Sequence, residues 1–454
     1  MKEIKNDFTK GEVWRVIMRM ALPLMLAQLV NVLYSVVDRM YIGHIPDVGS
    51  LALTGMGLCI PIVSIVIAFA SLCGTGGGPL CSIARGEGKK QMAEEIMGNC
   101  FTLLLIFALC LTLLLEIFAK PILYAFGASD ATFPYADEYV RIYLLGTIFV
   151  MISLGMNHFI NAQGFASVGM LTVAIGALTN IVLDPIFIFI FDMGIAGAAL
   201  ATVIAQAVSA VWALSFLLGK KAILDFRREN MRLKATLVRR ILALGVTGFI
   251  MSITNALVQT ACNRQLQLFG GDNYVGAMTI INSVRELTFM AAHGLTAGAQ
   301  PVLGYNYGAG AFSRVKKGIR FVSASSLVYG FSIWLLVMIM PRTLASIFNS
   351  DPILLAATER SMRIYFCGFF LMALQLAGQC VFVGLGKSRQ AVFFSLLRKA
   401  LIVTPLVILL PHIPALGVEG VFWSEPISDL IGGAACFITM YFTVYKKLPK
   451  DGLI

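Results

Sequence analysis

Long apolar stretches separated by short polar segments run through almost the whole chain. Each stretch holds about 20 apolar residues, the length a helix needs to cross a hydrocarbon core of ~30 Å. We predict twelve membrane-spanning helices, near residues 14–43, 51–73, 99–119, 138–160, 167–191, 195–218, 238–263, 274–296, 319–340, 360–382, 390–411 and 416–445. The pattern predicts an all-α polytopic membrane protein with no separate soluble domain and no cleavable signal peptide.

The pattern of glycines, prolines and polar residues occurs twice, about 222 residues apart. The repeat aligns Gly74–Pro79 with Thr296–Pro301, Arg141–Tyr143 with Arg363–Tyr365, Gly164 with Gly386, and Gly194 with Gly417. Because each half has an even number of spans, both halves enter the membrane from the same side, and the repeats are parallel. Duplicated helix bundles are typical of secondary transporters.

Composition and charge support this class and set the orientation. The chain is 58% hydrophobic and 13% charged, with a mean hydropathy of +0.84, which excludes an ordinary soluble protein. With both termini in the cytoplasm, 27 of the 35 basic residues, Arg398 and Lys399 among them, fall on the inner side. The net charge of +11 is therefore a topology signal and does not indicate nucleic-acid binding.

The strongly basic segment 220–240 divides the chain. We predict an N-terminal six-helix lobe at 1–219, a cytoplasmic linker at 220–240 and a C-terminal six-helix lobe at 241–454.

Cysteines and histidines give no sign of catalytic or metal chemistry. The nine cysteines and four histidines are dispersed along the helices, without C-x-x-C or H-E-x-x-H spacing. We therefore expect no disulfide framework, no zinc site, no cofactor and no enzymatic activity.

Two acids lie within predicted spans, where a charge is costly and is usually kept for function. In the first helix Asp38 shares one face with Gln28, Asn31 and Ser35, and Tyr34 lies beside them. We predict ion coupling at Asp38 and substrate contacts at Gln28, Asn31 and Tyr34. A polar stripe that only holds helices together is the alternative.

In the fifth helix Asn180 and Asp184 lie one turn apart, and Pro185 follows. Because proline cannot donate a backbone hydrogen bond, we expect a bend there that leaves a carbonyl oxygen for a cation. A purely structural kink is the alternative. Counting residues from the ends of their helices places Thr202 at the depth of Asp38 and Asp184. These side chains predict an oxygen-rich pocket for Na⁺ or a shared proton.

The substrate contacts are less specific. Methionines and phenylalanines could form an adaptable cavity for hydrophobic cations. Polar residues that could line it include Asn157, Gln206, Asn255, Gln259 and Glu286. Because Arg285 and Glu286 are adjacent and point about 100° apart on their helix, each could instead form a buried structural charge pair with another helix.

Several segments carry a resemblance to a known family. The chain resembles the multidrug and toxic compound extrusion (MATE) family in "SVVDRMYIG" around Asp38, "TNIVLDP" at 179–185, "GIAGAALATVIAQ" at 194–206 and the glycine-rich stretch that ends at Pro79. The resemblance covers essentially the whole chain, and the general appearance is similar to the MepA-type bacterial branch.

The resemblance implies an alternating-access antiporter in a bacterial inner membrane. It implies that organic cations and drugs leave while H⁺ or Na⁺ enters, that the protein is a monomer among membrane lipids, and that it binds no nucleic acid. In family members with an acidic first helix, the cation site comprises positions that match Asp38, Asn180, Asp184 and Thr202.

One departure from the family places the coupling in the first lobe. Other members carry an acid in the seventh helix, whereas this chain has Thr260 at the repeat position of Asp38 and no acid nearby. We therefore expect no second cation site.

Three alternatives have distinct signatures. A flippase for lipid-linked or amphipathic substrates would share the repeat but have extra spans and a more cationic cavity. A major-facilitator transporter would carry G-x-x-x-D-R-x-G-R after its second helix, where this chain reads "ARGEGKK". An intramembrane enzyme would need a nucleophile with a base, or clustered metal ligands.

Overall fold

Helices form the regular structure of the computed structural model, which describes residues 7–46, 48–126, 128–348 and 352–449. The membrane helices are α1 Val13–Gly43, α2 Gly49–Gly86, α3 Lys90–Ala125, α4 Phe133–Leu145 with Thr147–Ala162, α5 Ala166–Ile190, α6 Gly194–Leu218, α7 Ala235–Gly270, α8 Asp272–Gly308, α9 Phe312–Ile339, α10 Pro352–Phe366 with Phe369–Gly384, α11 Ser388–His412 and α12 Glu419–Tyr445. Short helices lie at Arg228–Met231 and Pro341–Ser346.

The number of spans agrees with the apolar pattern. Within the described ranges, nine helices are long and apolar enough to cross a membrane. The two segments of α4 meet at 57° and those of α10 at 47°, and each pair together passes the same test. α8 occupies the remaining predicted segment. The prediction of an all-α fold with twelve helices is confirmed.

Glycines with positive φ mark the same positions in both repeats. Gly88 and Gly310 have φ of 73° and 69°, and Gly164 and Gly386 have 89° and 68°. Gly194 and Gly417, which precede α6 and α12, have 53° and 50°. Left-handed backbone is disfavoured for other residues, so these turns require glycine in both halves.

Contacts divide the chain into two compact units. The first unit contains Leu26–Ser252, and the second contains Phe8–Met25 and the chain from Ile253 onward. The first part of α1 therefore belongs with the second repeat, and the first part of α7 belongs with the first.

Small residues allow these helices to approach closely. In the first unit, a Cβ on Gly76 would lie 2.2 Å from the Ile241 carbonyl oxygen. In the second, a Cβ on Gly298 would lie 2.6 Å from the Ala21 Cα. The two contacts are equivalent in the repeat, so the glycine-rich segments of α2 and α8 are helix-packing sites.

The segment between α6 and α7 is held to the first unit by buried amide side chains. Gln163 Oε1 accepts the Ile223 and Leu224 backbone N–H groups at 2.7 and 3.0 Å. Asn99 Oδ1 accepts the Lys234 N–H at 2.8 Å, and Asn99 Nδ2 donates to the Asn230 carbonyl at 3.2 Å.

Substitution Gln163→Ala should loosen this linker. Two backbone donors lose their acceptor, at a cost of about 1–3 kcal/mol for groups left unsatisfied. We expect faster tryptic cleavage near Arg227 and Arg228, followed by mass spectrometry of the fragments. Gln91→Ala is the control, because Gln91 is exposed and donates its hydrogen bond to the Asn230 side chain of the linker, where water can replace it. Equal cleavage rates for the two variants would contradict the role of Gln163.

Candidate functional site

Close packing of α5 on α6 positions the polar residues of the first unit. A Cβ on Gly176 would lie 2.3 Å from Ser209 Oγ, and one on Gly197 would lie 2.8 Å from the Phe187 carbonyl carbon. Ser209 Oγ donates to the Thr172 carbonyl at 2.9 Å. These contacts allow short side chains on the two helices to meet.

Asn180 connects the acid of α5 to the hydroxyl of α6. Its Nδ2 donates to Asp184 Oδ1 at 3.1 Å and to Thr202 Oγ1 at 3.3 Å. The Tyr34 hydroxyl of α1 lies beside Thr202. The structure therefore brings together side chains that the sequence places 22 and about 150 residues apart.

The Asp38 and Asp184 carboxyl groups face each other within hydrogen-bonding reach. Both residues are buried, with 3% and 0% of their surface exposed, and so are Asn180 and Thr202. In the described part of the chain, no group donates a hydrogen bond to Asp38 Oδ1, Asp184 Oδ2 or Asn180 Oδ1. Three buried oxygen atoms at one place therefore lack a donor.

Two tyrosines of α4 complete the surroundings, and sequence reasoning did not single them out. Tyr139 and Tyr143 are both 4% exposed, and their rings stack at 6.3 Å. Tyr139 lies near Asp38, and Tyr143 lies near Tyr34. Their i, i+4 spacing and the matching tyrosine at 365 were the available signals.

The arrangement suits a small cation or a shared proton. A carboxylate has no hydrogen to donate, so two facing carboxyl groups attract each other only through a proton or a cation between them. No basic side chain of the described residues forms an ion pair with either acid, and Arg39, beside Asp38 in sequence, is exposed. Carboxylate, amide and hydroxyl oxygens are ligands for hard cations.

The backbone near Asp184 stays helical through Pro185, where we expected a bend. α5 continues through Pro185 and widens into a π-helical turn at Ile186–Ile190. A widened turn accommodates the proline ring without breaking the helix, and such turns are frequent at functional sites.

Of the other predicted substrate contacts in the first lobe, two are exposed and two form hydrogen bonds to neighbouring helices. Gln28 and Asn31 are exposed, whereas Asp38 on the same helix is buried. Asn157 Nδ2 donates to the Gly169 carbonyl at 3.2 Å, and Gln206 Oε1 accepts Ser153 Oγ at 2.7 Å. These last two side chains already join neighbouring helices.

Of the predicted substrate contacts in the second lobe, two are exposed and one forms hydrogen bonds. Asn255 and Glu286 are exposed. Gln259 accepts from Asn282 and donates to Asn263, both at 3.0 Å. Neither Arg285 nor Glu286 is among the ion pairs of the described residues.

A buried charged cluster in the second unit corrects the assignment of Arg398 and Lys399 to the cytoplasmic side. Both are 9% exposed and lie in a π-helical turn of α11. Arg398 Nη2 pairs with Glu425 Oε2 at 2.6 Å and with Asp429 Oδ1 at 2.9 Å, and Lys399 Nζ pairs with Glu425 Oε1 at 2.8 Å. Pairing with acids on α12 is what allows these charges to lie inside the helix bundle.

The cluster lies at the repeat position of the first-unit site. The α6 and α12 sequences align with an offset of 223, which places Glu425 at the position of Thr202 and Asp429 at that of Gln206. Equivalent places in the two units therefore differ in their charge balance. In the first unit, no basic side chain of the described residues forms an ion pair with either acid. In the second unit, both acids are paired with Arg398 or Lys399.

An apolar cavity of about 380 Å³ lies in the second unit, between the first part of α1, α8 and α9. Its lining includes Trp14, Met18, Met25, Phe321 and Tyr329. The cavity has the expected aromatic and methionine lining, but none of the predicted substrate contacts belongs to it.

Comparisons with known proteins agree with this architecture. The family sequence model MatE matches residues 23–186 and 248–409. The multidrug export protein MepA of Staphylococcus haemolyticus is 25% identical over 443 residues, covering 97% of this chain and 95% of that protein. MepA of Staphylococcus aureus strain N315 is 25% identical over 438 residues, covering 96% and 95%.

A solved structure shows the same fold. The crystal structure of MATE in the bent conformation has a TM-score of 0.91 at 21% identity, covering 98% of this chain and 99% of that one. The family match extends over both repeats, so the chain belongs to the MatE family of membrane transporters and is not an enzyme.

Proposed function

We propose that this protein is a secondary active antiporter that exports organic cations and drugs in exchange for H⁺ or Na⁺. The coupling ion binds at Asp38, Asn180, Asp184 and Thr202 in the first unit. The observation that supports this most strongly is the facing pair of buried carboxyl groups with no internal cation and three oxygen atoms without a donor. Such a pair stays buried only when a proton or a cation joins it.

Ion binding would act on the helices that carry the site. Neutralising the carboxyl pair draws α1 and α5 together, whereas the empty, doubly charged pair repels. The π-helical turn after Pro185 gives α5 a place to adjust its winding. An ion that stabilises one arrangement of these helices biases alternating access, because a ligand shifts a conformational equilibrium by its difference in affinity for the two states.

The driving force is sufficient for multidrug export. In a one-for-one exchange of cations, a tenfold gradient of the coupling ion is worth about 1.4 kcal/mol and sustains a roughly tenfold concentration ratio of the exported compound. The curated relatives are named multidrug export proteins, which supports the same substrate class here. The exposed Gln28, Asn31, Asn255 and Glu286 remain our substrate contacts, with Tyr34 at the ion site.

The cellular setting completes the proposal. The protein acts as a monomer in a bacterial inner membrane, surrounded by lipid, with both termini in the cytoplasm. Twenty-five of the 35 basic residues still fall on the inner side after Arg398 and Lys399 are moved to the interior, so the positive-inside rule continues to support this orientation.

Reconstitution with separate ion gradients tests the function. Purified protein in proteoliposomes should move ethidium against its gradient when either a Na⁺ gradient or a pH gradient is imposed, and not under a matched K⁺ gradient. The effective gradient identifies the coupling ion. No ethidium movement under either gradient would contradict the proposal and favour a flippase for lipid-linked or amphipathic substrates.

A further inference from the structure

Small side chains leave the apolar cavity of the second unit open. Alanines of α8 and serines of α9 line two of its walls, at Ala291, Ala292, Ser325 and Ser326. The unfilled volume of about 380 Å³ lies in the ~300–1,000 Å³ range of ligand pockets. The Tyr329 hydroxyl at the wall already donates to the Thr288 carbonyl at 2.6 Å. The cavity therefore offers a ligand mainly apolar contacts.

The cavity is about as long as one leaflet of a membrane is thick. Its α1 wall extends from Trp14 to Met25, which is 11 residues or about 16 Å of helix. Half of a ~30 Å hydrocarbon core is about 15 Å. Because a lipid acyl chain spans one leaflet, its length matches that of the cavity.

The cavity opens at one end of the three helices. The start of α9 lies beside the start of α1, because Arg314 Nη1 donates to the Gly11 carbonyl at 2.7 Å. Trp14, at this end, is 47% exposed. Leu295 and Ser326 lie 13 and 14 residues from the same end of α8 and α9, about 20 Å deeper, and both are buried. Tryptophan is typical of the membrane–water interface, which suits the open end.

Two basic side chains flank the open end. The Arg15 guanidinium carbon lies 5.2 Å from the centre of the Trp14 ring. Lys317 is exposed and precedes the cavity residue Phe321 by four positions, which places both on one face of α9. Neither Arg15 nor Lys317 is among the ion pairs of the described residues. Basic pockets between membrane helices bind anionic lipid headgroups.

The same charges disfavour an organic cation as the occupant. No acidic side chain of the described residues lines the cavity. Arg15 lies over the Trp14 ring, so a positive charge already occupies an aromatic face that could attract a cation. Glu12, three residues before Arg15, is exposed and lies outside the lining. The site therefore suits an apolar chain that ends in a negatively charged group.

We propose that the cavity between the first part of α1, α8 and α9 binds one acyl chain of an anionic membrane lipid, whose headgroup contacts Arg15 and Lys317. In the proposed orientation of the protein, the open end faces the cytoplasmic leaflet. The lipid fills the space that the small side chains leave and holds the first part of α1 against α8 and α9. Such binding involves none of the candidate ion-site residues and does not require antiport.

Lipid binding to the purified full chain tests the site. Native mass spectrometry in detergent measures the binding of phosphatidylglycerol, which is anionic, and of phosphatidylcholine with the same acyl chains, which is zwitterionic. One basic side chain near a headgroup contributes about fivefold to the affinity. Wild type should therefore bind one phosphatidylglycerol up to about 25-fold more tightly than phosphatidylcholine. Equal affinities for the two lipids would overturn the proposal.

Filling the cavity should displace the lipid. Ala291→Leu replaces a methyl group of the α8 wall with an isobutyl group. Phosphatidylglycerol should then bind at least about tenfold more weakly, because extra carbon atoms in a filled space force the packing apart. Ala324→Leu is the matched control, because Ala324 is exposed on α9 and lies outside the lining. The same lipid affinity in both variants would show that the lipid binds elsewhere.

Removing a charge at the open end should reduce selectivity without affecting the fold. Arg15 is exposed, and Arg15→Gln should lower the ratio of the two lipid affinities about fivefold. Arg342→Gln removes an exposed charge near the opposite end of α9 and should keep the wild-type ratio. Thermal melting of lipid-free protein shows whether each variant is folded. An unchanged ratio in both Arg15→Gln and Lys317→Gln would overturn the headgroup contact, even if Ala291→Leu does not fold.

Discussion

Asp38→Asn should abolish uphill export while leaving the protein folded. The substitution keeps the shape of the side chain but removes the charge that binds the coupling ion. Its new amide N–H₂ can donate to Asp184, whose Oδ2 lacks a donor among the described residues. The amide at position 38 and the Asp184 carboxyl group are then joined permanently, and no place is left for the ion.

The expected effect is large because the variant can no longer couple ethidium export to ion entry at all. Under a tenfold gradient of the coupling ion, wild type should sustain up to a roughly tenfold ethidium ratio, and Asp38→Asn should sustain a ratio near one. The control is Asp130→Asn, which removes an exposed acid bonded to Tyr124 in the same unit. Normal accumulation by Asp38→Asn would show that coupling lies elsewhere.

Glu425→Gln should be the most destabilising conservative substitution in the second unit. It removes the carboxylate that Arg398 and Lys399 share, and so leaves buried positive charge with only Asp429 to balance it. Breaking a buried ion pair from one side typically costs about 3–5 kcal/mol. We expect a markedly lower melting temperature in detergent.

A surface ion pair of similar length provides the comparison. Glu95 pairs with Lys234 at 2.7 Å, but the Lys234 side chain is 51% exposed. Glu95→Gln should cost less than about 1 kcal/mol, because water screens and replaces an exposed pair. Equal melting temperatures for the two variants would mean that the α11–α12 network is not a stabilising element.

The sequence was sufficient for features set by local rules. Apolar segment length gave the spans, and helical periodicity placed Asn180 and Asp184 on one face. Residue counting from the helix ends brought Asp38 and Thr202 to the same depth. These inferences need only the rise and period of an α-helix, which do not depend on neighbouring helices.

Features that depend on partners from other helices were missed or wrong. Arg398 and Lys399 were assigned to the cytoplasm because the acid they share, Glu425, lies on another helix, 27 and 26 residues away. The π-helical turn after Pro185 was not predicted, since the surrounding packing decides how a helix absorbs a proline. Tyr139 and Tyr143 lie at the site because α4 packs near Asp38 and Tyr34, which the α4 sequence alone does not indicate.

The division into compact units shows the same limit. The repeat pattern indicates where each half of the sequence begins, but it does not show which helices pack together. The sequence indicates that Gly76 and Gly298 are repeat partners. It does not indicate that they contact α7 and α1, because those contacts depend on how the helices pack.

Ion movement driven by the exported compound tests the central claim most directly. An outward ethidium gradient is imposed on proteoliposomes with no ion gradient, and Na⁺ and H⁺ fluxes are recorded for wild type and Asp38→Asn. Reciprocity requires that ethidium moving down its gradient drive the coupling ion the other way. The account predicts counterflow of one ion in wild type and none in the variant, and equal counterflow in both would contradict it.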